Sequence, residues 1–240
     1  MPRANRFYRP GFVWHITHRC HKREFLLKFN KDKRRWIQWL YQAKKRYGLS
    51  VLNYTVTSNH IHLLVFEGKS GTIPRSLQLI AGRVGQEYNS RKYRKGAFWE
   101  DRYHATIIDR ESFFVQCMLY IDFNMVRAGV VNHPEEWDFG GYQEIMYPKK
   151  RYSIIDQETL KAFFRVKNSQ RLQEDYSLFV QRELKKKILD KEPAWSRGIA
   201  VGSETFVSNI QKNFGQKTEK RKIENGEVHW VLHEPGNSYT

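Results

Sequence analysis

The sequence predicts an α+β fold: a ferredoxin-like antiparallel sheet with packed helices, followed by a mainly helical C-terminal extension. Three observations predict it. Short β-rich runs and amphipathic helical stretches alternate in the order β-α-β-β-α-β, with one more helix behind them, which is the split βαβ arrangement. Hydrophobic residues make up 40% of the 240-residue chain and aromatics 15%, ample for a compact core. YPKKRYS (147–153) is a linker-like stretch that divides a domain at 1–148 from a basic extension at 149–240.

Each element has its own local signature. GFVWHITHR (11–19) is β-like, and KDKRRWIQWLYQAKKRY (31–47) places Trp36, Ile37, Leu40, Tyr41 and Lys44 at helical spacing, with Gly48 as a stop. SVLNYTVTS reads as a strand, broken at Ser58 and Asn59 before HIHLLVFEG, so the two suggest a hairpin. Ile73 to Tyr88 resembles a second helix, with Pro74 tolerated in its first turn. YHATIID (103–109) gives a further strand, and Glu111 to Val126 a third helix ending before Gly129. In the extension, 156–190 is helical by pattern, and 203–213 repeats that pattern behind Ser203 as N-cap.

Charge narrows the partners. Lys and Arg number 42 against 25 Asp and Glu, a formal charge of +17, and both portions of the chain are basic. Cations interleaved with aromatics around Arg3 to Tyr8, Tyr88 to Tyr103 and Tyr147 to Tyr152 suit unpaired nucleic acid. No basic-amphipathic helix speaks for a membrane surface, and neither a membrane span nor a signal-peptide core is present, so a cytoplasmic protein is expected. The two cysteines, Cys20 and Cys117, fit free thiols.

Two units carry chemistry. In Asn59-His60-Ile61-His62, the histidines lie two apart on a strand, so they project to one face with Cα atoms about 6.5 Å apart. Both imidazoles can converge on one divalent ion while Ile61, Leu63 and Val65 anchor the opposite face. In YIDFNMVRAG (120–129), Tyr120 and Asn124 lie one helical turn apart and share a face. Asn124 offers a carboxamide oxygen to a hard cation, and Tyr120 a hydroxyl that can attack a phosphodiester beside it. Two ordinary histidines and a core tyrosine remain the plain alternative when either unit is taken alone.

Taken together, TSNHIHLLV, GAFWEDRYHATII and YIDFNMVRAGVV resemble the single-tyrosine HUH transposases, in particular their REP-associated tyrosine transposase branch, over about 6–145. That resemblance implies His60 and His62 as ligands of a divalent metal ion (Mg²⁺ or Mn²⁺), Asn124 as a further ligand, and Tyr120 as nucleophile. It implies single-stranded or hairpin DNA as the partner and transposition-like nicking and joining through a 5′-phosphotyrosine. A monomer or a homodimer is compatible with it. Met125 replaces a usual proline after Asn124, which predicts that the helix runs on slightly and reorients Asn124; Ser58 likewise replaces a common proline. The alternative is a non-catalytic, domesticated nucleic-acid-binding protein of the same fold.

For the DNA itself, Arg91, Lys92, Arg94 and Lys95 form a cationic loop suited to backbone contacts, and Arg102 and Tyr103 suit a phosphate and a base. Arg127 is a further candidate. His18, Cys20 and His21 invite zinc, but strand alternation turns His21 away from the other two and no second ligand pair follows.

Overall fold

The computed structural model describes residues 8–110, 112–186, 192–213, 221–226 and 229–233. Its N-terminal elements are β1 (Val13–Arg19), α1 (Asn30–Tyr47), β2 (Ser50–Val56), β3 (His60–Phe66), α2 (Thr72–Arg91) and β4 (His104–Ile108), in the order the sequence predicts. The strands lie as β2-β3-β1-β4, and every neighbouring pair among them is antiparallel. This is the ferredoxin-like order, in which β1 and β2 run the same way with β3 inserted between them.

Local chemistry sets the element ends. Gly48 takes φ 70°, where a side chain would be strained, and its amide closes α1 on the Lys44 carbonyl at 2.8 Å. The N-terminus of α2 is capped from outside: Glu67 accepts hydrogen bonds from the Thr72 and Ile73 amides, both at 3.2 Å.

Alternation along β2 assigns the two faces of the sheet. The Tyr54 ring lies 6.4 Å from Trp36 of α1, whereas its neighbour Asn53 donates to Asp122 at 3.0 Å and to the Met118 carbonyl at 3.3 Å. Asp122 and Met118 belong to α3 (Ser112–Asp122), so α1 covers one face and α3 the other. Ile61, Leu63, Val65 and Ile16 are at most 1% exposed and form the centre of the core.

The third helix differs in detail from its expected span. Glu111 lies outside the described residues, and α3 stops at Asp122. After Phe123 the chain resumes as α4 (Asn124–Arg127). Phe123 still donates to the Leu119 carbonyl at 2.9 Å and Arg127 to that of Phe123 at 2.8 Å, so the helical ladder passes through the irregularity. The chain stays helical past Asn124 and turns at Gly129, φ 66°. A short helix α5 (Tyr142–Met146) follows.

The extension packs on the α3 side through α6 (Gln157–Phe164) and α7 (Ser169–Leu184), which are separated by Arg165 in the left-handed region at φ 56°. The single helical pattern read over 156–190 is therefore two helices, and its end at 187–190 lies outside the described residues. Three short strands were not foreseen. Beyond α8 (Ala194–Arg197), β5 (Ala200–Gly202) pairs in parallel with β4, and β7 (Trp230–Leu232) and β6 (Ile223–Asn225) complete a seven-stranded sheet. Three-residue strands are too short to show an alternating pattern. Between β5 and β7 lies α9 (Glu204–Asn213), capped by Ser203, whose hydroxyl accepts from the Phe206 amide at 3.3 Å. Among the described residues no helix is long and apolar enough to cross a membrane.

Candidate active site

The face of the sheet beneath α3 carries the histidines. His62 is paired with Thr17 of β1 and Thr55 of β2, so it sits inside the sheet rather than at its edge, and it is 3% exposed. His60, two residues earlier on the same face, is half-buried at the strand's start. Their ring centroids are 5.0 Å apart with the planes at 81°.

Helix α3 lowers Tyr120 onto this pair. Phe114, Cys117, Met118 and Ile121 bury its inner side, and the Asn53 amide ties its last turn to β2. The Tyr120 ring then lies 5.6 Å from that of His62 at 86°, an edge-to-face contact. One turn further on, the Asn124 carboxamide nitrogen lies 3.1 Å from His62 Nε2. The structure thus brings His60, His62, Tyr120 and Asn124 into one cluster.

Sequence reasoning missed the groups around that cluster. Asn59 Oδ1 lies 2.7 Å from His60 Nδ1, while its own Nδ2 donates to the Arg23 carbonyl at 3.2 Å. The second contact orients the amide, so its oxygen accepts from His60 Nδ1–H and the lone pair of His60 resides on Nε2. His15 of β1 is fully buried and approaches His62 at 2.9 Å. From α8, Trp195 lies 6.4 Å from the Tyr120 ring, and the Ser196 side chain is near enough to the phenol to act on its pKa. Asn59 was visible as part of the histidine motif; nothing in the local sequence marked His15, Trp195 or Ser196.

Burial dominates the electrostatics. It holds His62 well below the ordinary imidazole range, helped by the nearby His60, His15, Arg127 and Arg19. Burial also brings His15 down to about 4, against the raising effect of the Trp195 carbonyl. The Tyr120 phenol is pushed up by burial, while the Ser196 side chain and the Arg127 charge pull it back. Both imidazoles of the inner pair are therefore neutral near pH 7 and keep a lone pair.

Two imidazoles and, with the Asn124 amide turned to present its oxygen in place of the nitrogen that now faces His62 Nε2, a carboxamide oxygen suit Mn²⁺ or Mg²⁺ better than a thiolate-seeking metal. Among the described residues no three His, Cys, Asp or Glu side chains converge, so a third protein donor here is the amide of Asn124. The other histidine cluster is structural in its contacts. His18 stacks on Trp99 at 4.0 Å and 13°, and its Nε2 meets the Asp101 carbonyl at 2.8 Å. Cys20 is buried, which raises its thiol to about 12.

The cationic candidates divide. Arg91 pairs with Asp32, and Arg94 donates to the Ala97 carbonyl at 2.8 Å, so both help to hold the end of α2. Lys92 and Lys95 are exposed, with the Lys92 ammonium 5.5 Å above the Phe29 ring. Arg102 is exposed beside half-buried Tyr103, whose ring is 6.1 Å from His18. Arg127 turns inward, 4.5 Å over the Tyr120 ring.

Residues 10–122 match the model of a protein family described as "Transposase IS200 like". Among solved structures, one described as the REP-associated tyrosine transposase bound to a REP hairpin aligns at 16% identity. The alignment covers 62% of this chain and 87% of that one, with a TM-score of 0.49. A putative transposase from Deinococcus radiodurans R1 aligns at 16% identity over 52% of this chain and 89% of its own, with a TM-score of 0.35. A search of curated proteins finds no match.

Proposed function

We propose that this chain, whose residues 10–122 match the IS200-like transposase family model, nicks and rejoins single-stranded DNA with Tyr120 as its covalent nucleophile. The observation that carries the proposal is the edge-to-face approach of Tyr120 to His62 at 5.6 Å, with His60 and Asn124 completing the same cluster.

His60 and His62 would hold Mg²⁺ or Mn²⁺ through Nε2, with the Asn124 carboxamide as third protein ligand. When bound, the ion supplies charge to a non-bridging phosphate oxygen and orients the scissile ester. Every other part of the reaction belongs to the chain. Tyr120 Oη attacks phosphorus as the bond from phosphorus to the 3′-oxygen breaks. The phenol proton is balanced by the one taken up at the freed 3′-hydroxyl, and the 5′-phosphate remains on Tyr120. One phosphoester replaces another, so a second 3′-hydroxyl can reverse the step without ATP. Arg127, packed on the ring, favours the charge that develops on the phenol.

Three sequence units favour the REP-associated branch, and with it a palindromic, hairpin-forming DNA as substrate in a prokaryotic cytoplasm. Lys92, Lys95 and Arg102 are exposed toward such a strand, whereas half-buried Tyr103, Arg91 and Arg94 would have to share their present partners with it. The division at 148 is part of the same reading: 1–148 carries the chemistry, and 149–240 supports it.

A second reading, a non-catalytic nucleic-acid-binding protein, is favoured by one observation: Tyr120 is only 6% exposed, beneath Trp195 and Ser196. Incubating the full chain with labelled hairpin DNA and Mn²⁺ separates the two. An SDS-resistant adduct lost in Tyr120→Phe is expected. Tight binding without an adduct would establish the second reading, and cleavage that survives Tyr120→Phe would point to hydrolysis instead.

A further inference from the structure

The buried imidazole of His15 has no part in the chemistry above, yet its two nitrogens join the metal-side histidine to the C-terminal extension. His15 Nδ1 lies 2.6 Å from the backbone carbonyl of Trp195, 180 positions away in the chain. A carbonyl only accepts, so the proton resides on His15 Nδ1. A second proton would place a cation in a site with 0% exposure. The neutral ring is left with an acceptor at Nε2.

That acceptor lies 2.9 Å from His62 Nδ1, and the two rings are nearly parallel, 14° apart with centroids at 5.1 Å. His62 Nδ1 must then be the donor. Its Nε2 consequently carries a lone pair, on the side of the ring where the Asn124 amide sits at 3.1 Å. The direction of each hydrogen bond follows from the one before it, beginning at a backbone carbonyl whose role cannot change.

We propose that His15 and the Trp195 carbonyl form a positioning relay that locks His62 in its Nδ1–H tautomer and so presents Nε2 to the cation. The inference rests on the metal-binding reading of His60 and His62. It makes α8 part of the support of the cation site: the extension supplies the outermost link of the relay. Histidine ligands elsewhere are oriented through their second nitrogen in this way, and losing such a partner costs about 10- to 100-fold in metal affinity.

The carbonyl is held firmly. Gly198, at the end of α8, accepts from Thr106 Oγ1 at 2.6 Å and from His104 Nε2 at 2.9 Å, and β5 then pairs with β4. A Cβ on Gly198 would meet the Ala194 carbonyl oxygen at 2.8 Å and Val231 Cγ1 at 2.9 Å, so only glycine permits this approach. His15 itself is a positioning residue, since it faces His62 and not the substrate.

Two measurements on the full chain test the relay. Imidazole ¹⁵N–¹H correlation spectra of the metal-free protein report which nitrogen of His62 carries the proton, and Mn²⁺ titration followed by electron paramagnetic resonance gives affinity. We expect Nδ1–H in the wild type. His15→Phe keeps the ring volume and removes both nitrogens, and it should weaken Mn²⁺ binding by about 10- to 100-fold. His15→Gln can donate to Trp195 and accept from His62, so it should recover most of that loss, which mere restoration of packing would not. Gly198→Ala should weaken Mn²⁺ in the same direction from a distance. A wild-type His62 protonated on Nε2 overturns the relay, and so does His15→Phe binding Mn²⁺ as tightly as the wild type. The tautomer is read on the unmodified chain, so it decides the matter even if His15→Phe fails to fold. Failure of the underlying reading looks different: Mn²⁺ binding would be absent, or indifferent to His60→Ala and His62→Ala, whatever the tautomer.

Discussion

The guanidinium of Arg127 lies 4.5 Å from the centroid of the Tyr120 ring and donates to the backbone carbonyl of the same residue at 2.5 Å. One cation thus holds both the side chain and the main chain of the proposed nucleophile, and it does so in a half-buried position where charge is weakly screened. A cation over an aromatic face contributes about 0.5–2 kcal/mol. Arg127→Ala should therefore slow adduct formation roughly 2- to 30-fold, and Arg127→Lys, which keeps the charge but loses the planar fork, should recover part of it. Hairpin affinity, measured by fluorescence anisotropy, is expected to change little. If instead affinity collapses while the rate at saturating DNA is unaltered, Arg127 is a DNA contact and its place over Tyr120 is incidental.

The cover over Tyr120 yields a separate expectation. Trp195 packs against the Tyr120 ring from α8 and the residue is 6% exposed, so the indole should restrict the approach of a phosphodiester. Trp195→Ala removes the indole and leaves in place the backbone carbonyl that His15 uses. Adduct formation at saturating Mn²⁺ should rise several-fold, and iodination of Tyr120, read by mass spectrometry, should rise with it. Faster iodination with no gain in adduct would mean that cover by Trp195 does not limit the reaction.

What the sequence disclosed, and what it withheld, follows from the range over which residue patterns act. His60 and His62 were legible because strand alternation is a rule with period two, and Tyr120 with Asn124 because one helical turn is a rule with period near four. His15 obeys the same alternation, but a lone histidine in an apolar strand gives no sign of its partner. That partner is a main-chain carbonyl far along the chain, and no side-chain pattern encodes it. Strands β5 to β7 were hidden by their three-residue lengths. The run from Arg91 to Lys95 was legible as charge, yet which of its members are committed to Asp32 and to the Ala97 carbonyl depends on how α2 packs. Asn124 lies against His62, and the ladder bonds at Phe123 and Arg127 carry the helical path past it.

The tie between β2 and α3 gives a stability prediction with a site-level consequence. Gly141 donates to the Tyr54 carbonyl at 2.8 Å, and a Cβ there would stand 2.4 Å from Asn53 Oδ1 and 3.2 Å from the Tyr54 amide nitrogen. Asn53 is the residue that holds Met118 and Asp122 of α3. Overpacking of this kind costs about 1–3 kcal/mol, and for a chain of this size each kcal/mol lowers Tm by about 2–4 °C. Gly141→Ala should therefore melt about 2–12 °C below the wild type, with adduct formation reduced even well below that temperature because Tyr120 is displaced. An unchanged Tm would show that Asn53 has room to shift.

The attachment of the extension to the sheet has a pH signature. Asp156 caps α6 by accepting from the Thr159 amide at 3.1 Å, and it also accepts from Ser50 of β2 at 2.6 Å. Burial pushes its carboxyl up, but the hydrogen bonds from Ser50 and Thr159 and the charge of Lys44 outweigh that, and the pKa falls below its ordinary 3.8. A carboxyl depressed in the folded state binds fewer protons there than in the unfolded chain. Its contribution is thus complete above pH 3.8 and is lost as the pH falls through the lower, folded value. Asp156→Ala should cost about 1 kcal/mol at pH 7, in line with loss of an N-cap. The gap in urea-unfolding free energy between wild type and variant should narrow as the pH is taken below that range. A gap that stays constant into strong acid would mean that the carboxylate charge adds nothing to the tether, and that packing of α6 on β2 alone holds the extension in place.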